Sequence, residues 1–181
     1  VNPGGVALGA EGAIQSTADS VLILSPHDLV LRADDTALDA ELPDMTVLPL
    51  DGGGVRVRNA SVPLYDIVYF SIPMSTFGTL LGSQMYVKGV EVCYAASNTQ
   101  IIATAVMKNT GTATGYSFYL IEIRDRLEPT RTCYTLTAPM PYKPIDNSSW
   151  VQFNVKIVGT FPPVSLDIYT VKVTLTQFAS D

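Results

Sequence analysis

Residues 150–158 read WVQFNVKIV. Val151, Phe153, Val155 and Ile157 alternate with Gln152, Asn154, Lys156 and Val158. A period of two puts apolar side chains on one face of a strand and polar ones on the other. Residues 171–176, VKVTLT, repeat the pattern, with Val171, Val173 and Leu175 on one side and Lys172, Thr174 and Thr176 on the other. A helix would scatter both sets around its circumference. These two half-buried strands require a sheet, and the rest of the chain supplies candidates for it.

Upstream, DIVYFSI at 66–72 stops before Pro73, and residues 85–94, 101–107, 116–123 and 130–137 are further strand candidates. In the second of these, Tyr86, Val90, Val92 and Tyr94 share one face and Val87, Gly89, Glu91 and Cys93 the other. Residues 116–121 set Tyr116, Phe118 and Leu120 against Ser117, Tyr119 and Ile121. Near the start, Val21–Leu24 runs into Ser25-Pro26, where proline marks an edge or a turn, and Leu29-Val30-Leu31 continues beyond it. Asp51-Gly52-Gly53-Gly54 between TVLPL and VRVR supplies the positive φ angles of a hairpin, with Val55 and Val57 inward and Arg56 and Arg58 outward. Only 35–42 and 75–81 have room for a helical turn or two.

Some nine or ten strands punctuated by turns predict an all-β chain, an antiparallel β-sandwich with jelly-roll or related Greek-key topology. At 181 residues one domain is expected, spanning 21–181, preceded by a Gly- and Ala-rich arm at 1–20 that is flexible or clasps a neighbouring subunit.

Charge narrows the partners. The first sixty residues hold nine acidic and three basic groups and carry the whole net charge of -6. Such a chain repels a phosphate backbone, so no direct nucleic-acid binding is expected. No apolar run approaches the roughly 20 residues that cross a bilayer, so no membrane insertion is expected. Residues 1–20 also lack the pattern of a signal peptide. The low charged content, 15%, and the Thr-, Ser- and Asn-rich strand faces suit an extracellular, cell-surface or virion protein.

The sequence assembles no catalytic constellation and calls for no cofactor. Its one histidine, His27, lies in Ser25-Pro26-His27-Asp28, and triad members converge from separate elements instead of neighbouring positions. Glu91, Glu122 and Asp125 lie on or beside strands, yet nothing in their spacing demands a glycosidase pair. Arg124-Asp125-Arg126-Leu127-Glu128 alternates in sign and reads as a solvated strand end. Asp34, Asp35, Asp39, Glu41 and Asp44 lack the ligand alternation and glycine of a calcium loop, so no metal site is expected.

Cys93 and Cys133 are each followed by a tyrosine. Cys93 shares a face with Glu91, and Cys133 with Arg131 and Thr135; Tyr94 and Tyr134 fall on the apolar faces of Val92 and Leu136. Either the cysteines bridge two neighbouring strands, closing about 41 residues for about 3 to 4 kcal/mol, or both are unpaired thiols in a covered layer. Asn59-Ala60-Ser61 and Asn147-Ser148-Ser149 both match glycosylation acceptors.

Two functions follow. The uncharged polar faces suit a non-enzymatic structural or assembly module of a larger extracellular or virion protein, forming a homo-oligomer, with a trimer as the expected closed form. The alternative is a carbohydrate- or ligand-binding β-sandwich with an aromatic platform. Trp150 beside Asn147, together with Tyr119 and Tyr169, is the candidate platform for a glycan.

Overall fold

The computed structural model describes residues 18–32, 45–59, 67–74, 79–80, 83–109, 116–158 and 164–179. Among them the chain forms β1 (Ser20–Leu24), β2 (Val30–Arg32), β3 (Met45–Pro49), β4 (Val55–Asn59), β5 (Ile67–Pro73), β6 (Thr79–Leu80) and β7 (Ser83–Gln84). There follow β8 (Tyr86–Ser97), β9 (Thr99–Asn109), β10 (Tyr116–Arg126), β11 (Thr132–Thr137), β12 (Lys143–Pro144), β13 (Ser149–Ile157) and β14 (Val164–Thr176).

Seven strands make one sheet, ordered β11-β8-β14-β4-β3, with β1 also on β14 and β12 also on β8. Five make the other, ordered β10-β9-β13-β5-β2, and β6 pairs β7 separately. The ladders are antiparallel, and the chain crosses between sheets from β1 to β2, β2 to β3, β4 to β5, β8 to β9, β10 to β11, β12 to β13 and β13 to β14. The fold is thus the antiparallel β-sandwich that the alternation predicts.

Local chemistry explains the crossings. A 3-10 turn at Pro26–Asp28, with Pro26 buried, separates β1 from β2. Val30–Arg32 therefore does not prolong β1 but pairs with β5 in the other sheet. At the β8–β9 corner Asn98 takes φ 53, a left-handed conformation that asparagine tolerates better than most residues. Gly52, Gly53 and Gly54 take φ of 90, 92 and 97 in the β3–β4 hairpin. At Gly54 a Cβ would also lie 2.5 Å from the Ile168 carbonyl oxygen, so only glycine fits.

The core fills the space between the sheets. Val90, Val92 and Tyr94 of β8 and Ile168, Val171 and Val173 of β14 face Phe70, Ile72, Val151, Phe153 and Val155 from the five-stranded sheet. One residue departs from the expected phase. The register passes from Thr174 opposite Gly89 to Leu175 opposite Val87, leaving Lys88 as a bulge. Val87 therefore turns inward and is fully buried.

Cys93 and Cys133 lie directly opposite each other on β8 and β11 and form a disulfide. Tyr94 and Tyr134, one residue on, point into the core as expected and meet edge to face with ring centroids 5.6 Å apart. Tyr134 Oη lies 2.6 Å from Thr104 Oγ1 of β9, a buried hydrogen bond that ties the two sheets together. Burial pushes the Tyr134 phenol well above its ordinary value, so the hydroxyl keeps its proton. The Arg126 guanidinium sits 3.7 Å above the Tyr134 ring and pairs with Glu122, holding edge strand β10 against β11.

The expected helical turn at 35–42, the acidic stretch 34–44 and the arm through residue 17 lie outside the described residues. So does most of 75–81, of which Thr79–Leu80 is strand.

Removing the bridge by Cys93→Ala with Cys133→Ala should lower unfolding free energy in denaturant by about 3 to 4 kcal/mol. Far-ultraviolet circular dichroism should stay that of a sandwich. An unchanged denaturation midpoint would show that the bridge does not restrain the unfolded chain.

Candidate functional site

The outer face of the five-stranded sheet is built on the polar half of β13. Trp150, Gln152, Asn154 and Lys156 point away from the core that Val151, Phe153 and Val155 enter. The registers set each outward residue in a row across three strands. Gln152 lies between Ala105 of β9 and Ser71 of β5, and Asn154 between Ala103 and Tyr69. Lys156 lies between Gln100 and Ile67, and Trp150 between Met107 and Pro73.

Alanines and a serine leave the middle of this face low. β10 then rises beside it, presenting Ile121 and Ile123 with 48% and 81% exposure. A one-residue bulge at Ile102, where the register moves from Asn154–Ala103 to Val155–Ile101, brings that side chain to the same face. The result is an open groove of about 580 Å³, with Ile121, Ile123, Ile102 and Ile67 as apolar lining and Gln100, Asn154, Lys156 and Asp125 as polar lining.

A directional ladder of side chains leads along it. Trp150 Nε1–H donates to Gln152 Oε1 at 3.3 Å, and Gln152 Nε2–H donates to Asn154 Oδ1 at 3.0 Å. Each of these two oxygens accepts one bond, and Asn154, where the ladder ends, lines the groove. Apolar walls beside aimed amides can hold a molecule that alternates C–H faces with hydroxyl groups.

The structure brings together part of the platform expected from sequence. Trp150 is half-buried on this face, and Asn147 is exposed in the turn that enters β13. In that turn the Ser148 N–H and Oγ–H both donate to Asp146 Oδ1, at 2.9 and 2.6 Å, and Asp146 forms a close ion pair with Lys108 of β9.

Two members of the platform are corrected. Tyr119, expected at the surface, is 8% exposed. The register of β10 jumps from Phe118–Met107 to Leu120–Val106, so Tyr119 is the extra residue of a bulge, and its phenol reaches Lys108. Tyr169 belongs to β14 in the seven-stranded sheet, next to Asp167, and so does not share a face with Trp150. The residues that sequence reading missed are the wall and floor: Ile67, Ile102, Ala103, Ile121 and Ile123. Their signal was the outward phase of β13, in which Trp150, Gln152 and Asn154 recur at every second position.

Of the carboxylates weighed for catalysis, Asp125 lines the groove, three residues along β10 from Glu122. Glu91 pairs with Lys172 at 2.7 Å on the seven-stranded sheet, whereas Glu122 pairs with Arg126 on β10. His27 is exposed in its 3-10 turn. Among the described residues no three His, Cys, Asp or Glu side chains gather as a metal site would require.

No family model matches this sequence, and no curated protein does. Solved structures do resemble it. The xylan-binding module CBM15 is 11% identical with a TM-score of 0.51, over 89% of this chain and 99% of that one. A cyclase from Fischerella sp. TAU is 10% identical with a TM-score of 0.51, over 87% and 89%. A family 29 carbohydrate-binding module complexed with cellulohexaose is 6% identical with a TM-score of 0.46, over 88% and 93%. At these identities the likeness is one of fold, a β-sandwich built as in carbohydrate-binding modules.

The Asp146 turn has a pH signature. Burial pushes the Asp146 carboxyl up, but the hydrogen bonds from Lys108 and Ser148 outweigh it and hold the carboxyl below its ordinary 3.8. The hydrogen bond to Asp146 in turn raises Lys108 above 10.5. Because the carboxyl is depressed in the folded state, its contribution is present above its unfolded value and is lost as pH falls through the folded one. Asp146→Asn should therefore lower the melting temperature at neutral pH, with the difference closing in strong acid. An equal loss at both pH values would place the effect outside the ion pair.

Proposed function

We propose that this chain is a non-catalytic, extracellular or cell-surface module that binds a neutral, unbranched polysaccharide along the groove of its five-stranded sheet. The observation that carries this reading is the groove itself, with Ala103 low between the isoleucines of β10 and Asn154, where the Trp150–Gln152–Asn154 ladder ends. An extended chain laid there would set the C–H faces of its rings on Ile121 and Ile123. Its hydroxyls would exchange hydrogen bonds with Asn154, Gln100 and Lys156.

The shared sandwich fold of a xylan-binding module supports the reading. The cyclase has the same likeness, so fold alone does not choose between binding and catalysis. The dispersal of Glu91, Glu122 and His27 favours binding. The disulfide supports an oxidising location, where such bridges persist.

A second reading, assembly into a homo-oligomer, has support in β1. Among the described residues this strand pairs only with β14, and it exposes Val21 and Ile23 at 60% and 67%. Light scattering behind size exclusion distinguishes a monomer from a trimer or other closed oligomer.

Glycan binding is tested by calorimetric titration with xylohexaose and other neutral oligosaccharides. Asn154→Ala removes a donor from the groove and the acceptor from Gln152, so affinity should fall roughly five- to tenfold. Thr135→Ala, exposed on the other sheet, should leave it unchanged. Absence of binding across neutral glycans, or binding indifferent to Asn154→Ala, would remove the groove reading.

A further inference from the structure

The outer face of the seven-stranded sheet gathers arginines. The first sixty residues of this acidic chain contain three basic groups, and two of them, Arg56 and Arg58, stand there side by side on β4. Arg56 lies opposite Asp167 of β14 and grips it with two hydrogen bonds of 2.7 Å, Nε–H to Oδ1 and Nη2–H to Oδ2. Asp167 is 5% exposed and accepts a third bond from the Tyr169 hydroxyl at 3.3 Å. This carboxylate is therefore committed to Arg56 and Tyr169.

Arg131 approaches from the β10–β11 connection and lies 4.6 Å from the Tyr169 ring centroid. Both Arg131 and Arg58 are exposed, and neither has a carboxylate within ion-pair distance among the described residues. Glu128, three residues before Arg131, is exposed, and its backbone oxygen accepts from the Ala96 N–H. With Asp167 neutralised by Arg56, the exposed Arg131 guanidinium is left uncommitted over the Tyr169 ring.

We infer that this face carries a second binding site, centred on Tyr169 and Arg131, that takes an acidic sugar through its oxyanion. A guanidinium over an aromatic ring can still offer N–H donors to the two oxygens of a carboxylate or a sulfate ester. The half-buried Tyr169 ring offers an apolar face to the sugar itself, and Asp167 holds the phenol in place. One uncommitted guanidinium suits a single anionic group and falls short of a nucleic-acid track. The site lies on the opposite sheet from the groove, so it stands or falls without it.

Titration of the whole chain with oligogalacturonate, a sulfated dextran oligomer and a polyglutamate peptide tests the site. An acidic oligosaccharide should bind, more weakly as salt is raised. Preference for galacturonate assigns the site to uronates; preference for the dextran assigns it to sulfate esters. Arg131→Ala should cost about tenfold or more, and Arg131→Lys should restore only part, because an ammonium lacks the planar fork. An unchanged melting temperature of Arg131→Ala confirms that the fold is intact. The inference is overturned if neither acidic oligomer binds or if polyglutamate binds as tightly. Equal loss in Lys143→Ala, on β12 opposite Val87 at the far end of β8, would overturn it too.

Discussion

The long antiparallel pairing of β8 with β14 is the constraint on which the rest of the molecule hangs. β14 also carries β4 and β1, and β8 carries β11 and β12, so every strand of the seven-stranded sheet except β3 pairs directly with one of the two. Their register sends Val90, Val92, Val171 and Val173 into the core and leaves Glu91 and Lys172 outside as an ion pair. It also places Cys93 so that β11 can bring Cys133 opposite it, which fixes Tyr134 inside. From Tyr134 the link continues across the sandwich to Thr104 and sideways to Arg126. A one-residue slip in this pair would turn every one of these side chains to the wrong face.

Bulges supply what a regular ladder would not. At Lys88 a bulge returns Val87 to the core, and at Tyr119 another buries a phenol beside Lys108. The bulge at Ile102 adds an apolar side chain to the groove, and β14 has its own irregularity at Tyr169, where Arg131 settles. Each interrupts the alternation by one residue and re-aims the side chains around it. Both candidate binding faces of this sandwich thus contain a bulged residue, while the uninterrupted stretches serve the core.

This also explains what could be read from the chain alone. The alternations at 151–157 and 171–176, the glycine hairpin and the inward phase of Tyr94 and Tyr134 are local patterns, and local sterics decide them. The cysteine pair was half legible, since phase placed both on polar faces but could not set the strands side by side. Tyr119 and Val87 were misplaced because a bulge reverses phase without altering composition. Tyr169 was grouped with Trp150 because sheet membership is a long-range property that no neighbouring residue records. The groove floor was missed for a similar reason: Ala103 is unremarkable on β9 until β13 and β10 flank it.

The central claim is that the five-stranded face, with its amide ladder and isoleucine wall, is where a neutral glycan lies. The most direct measurement is nuclear magnetic resonance of the isotope-labelled chain titrated with xylohexaose, following the side-chain amides of Gln100, Gln152 and Asn154. These signals and the backbone amides of Ile121 and Ile123 should shift together, while those around Cys133 and Thr135 stay still. Shifts confined to the seven-stranded sheet, or none at saturating sugar, would contradict the claim.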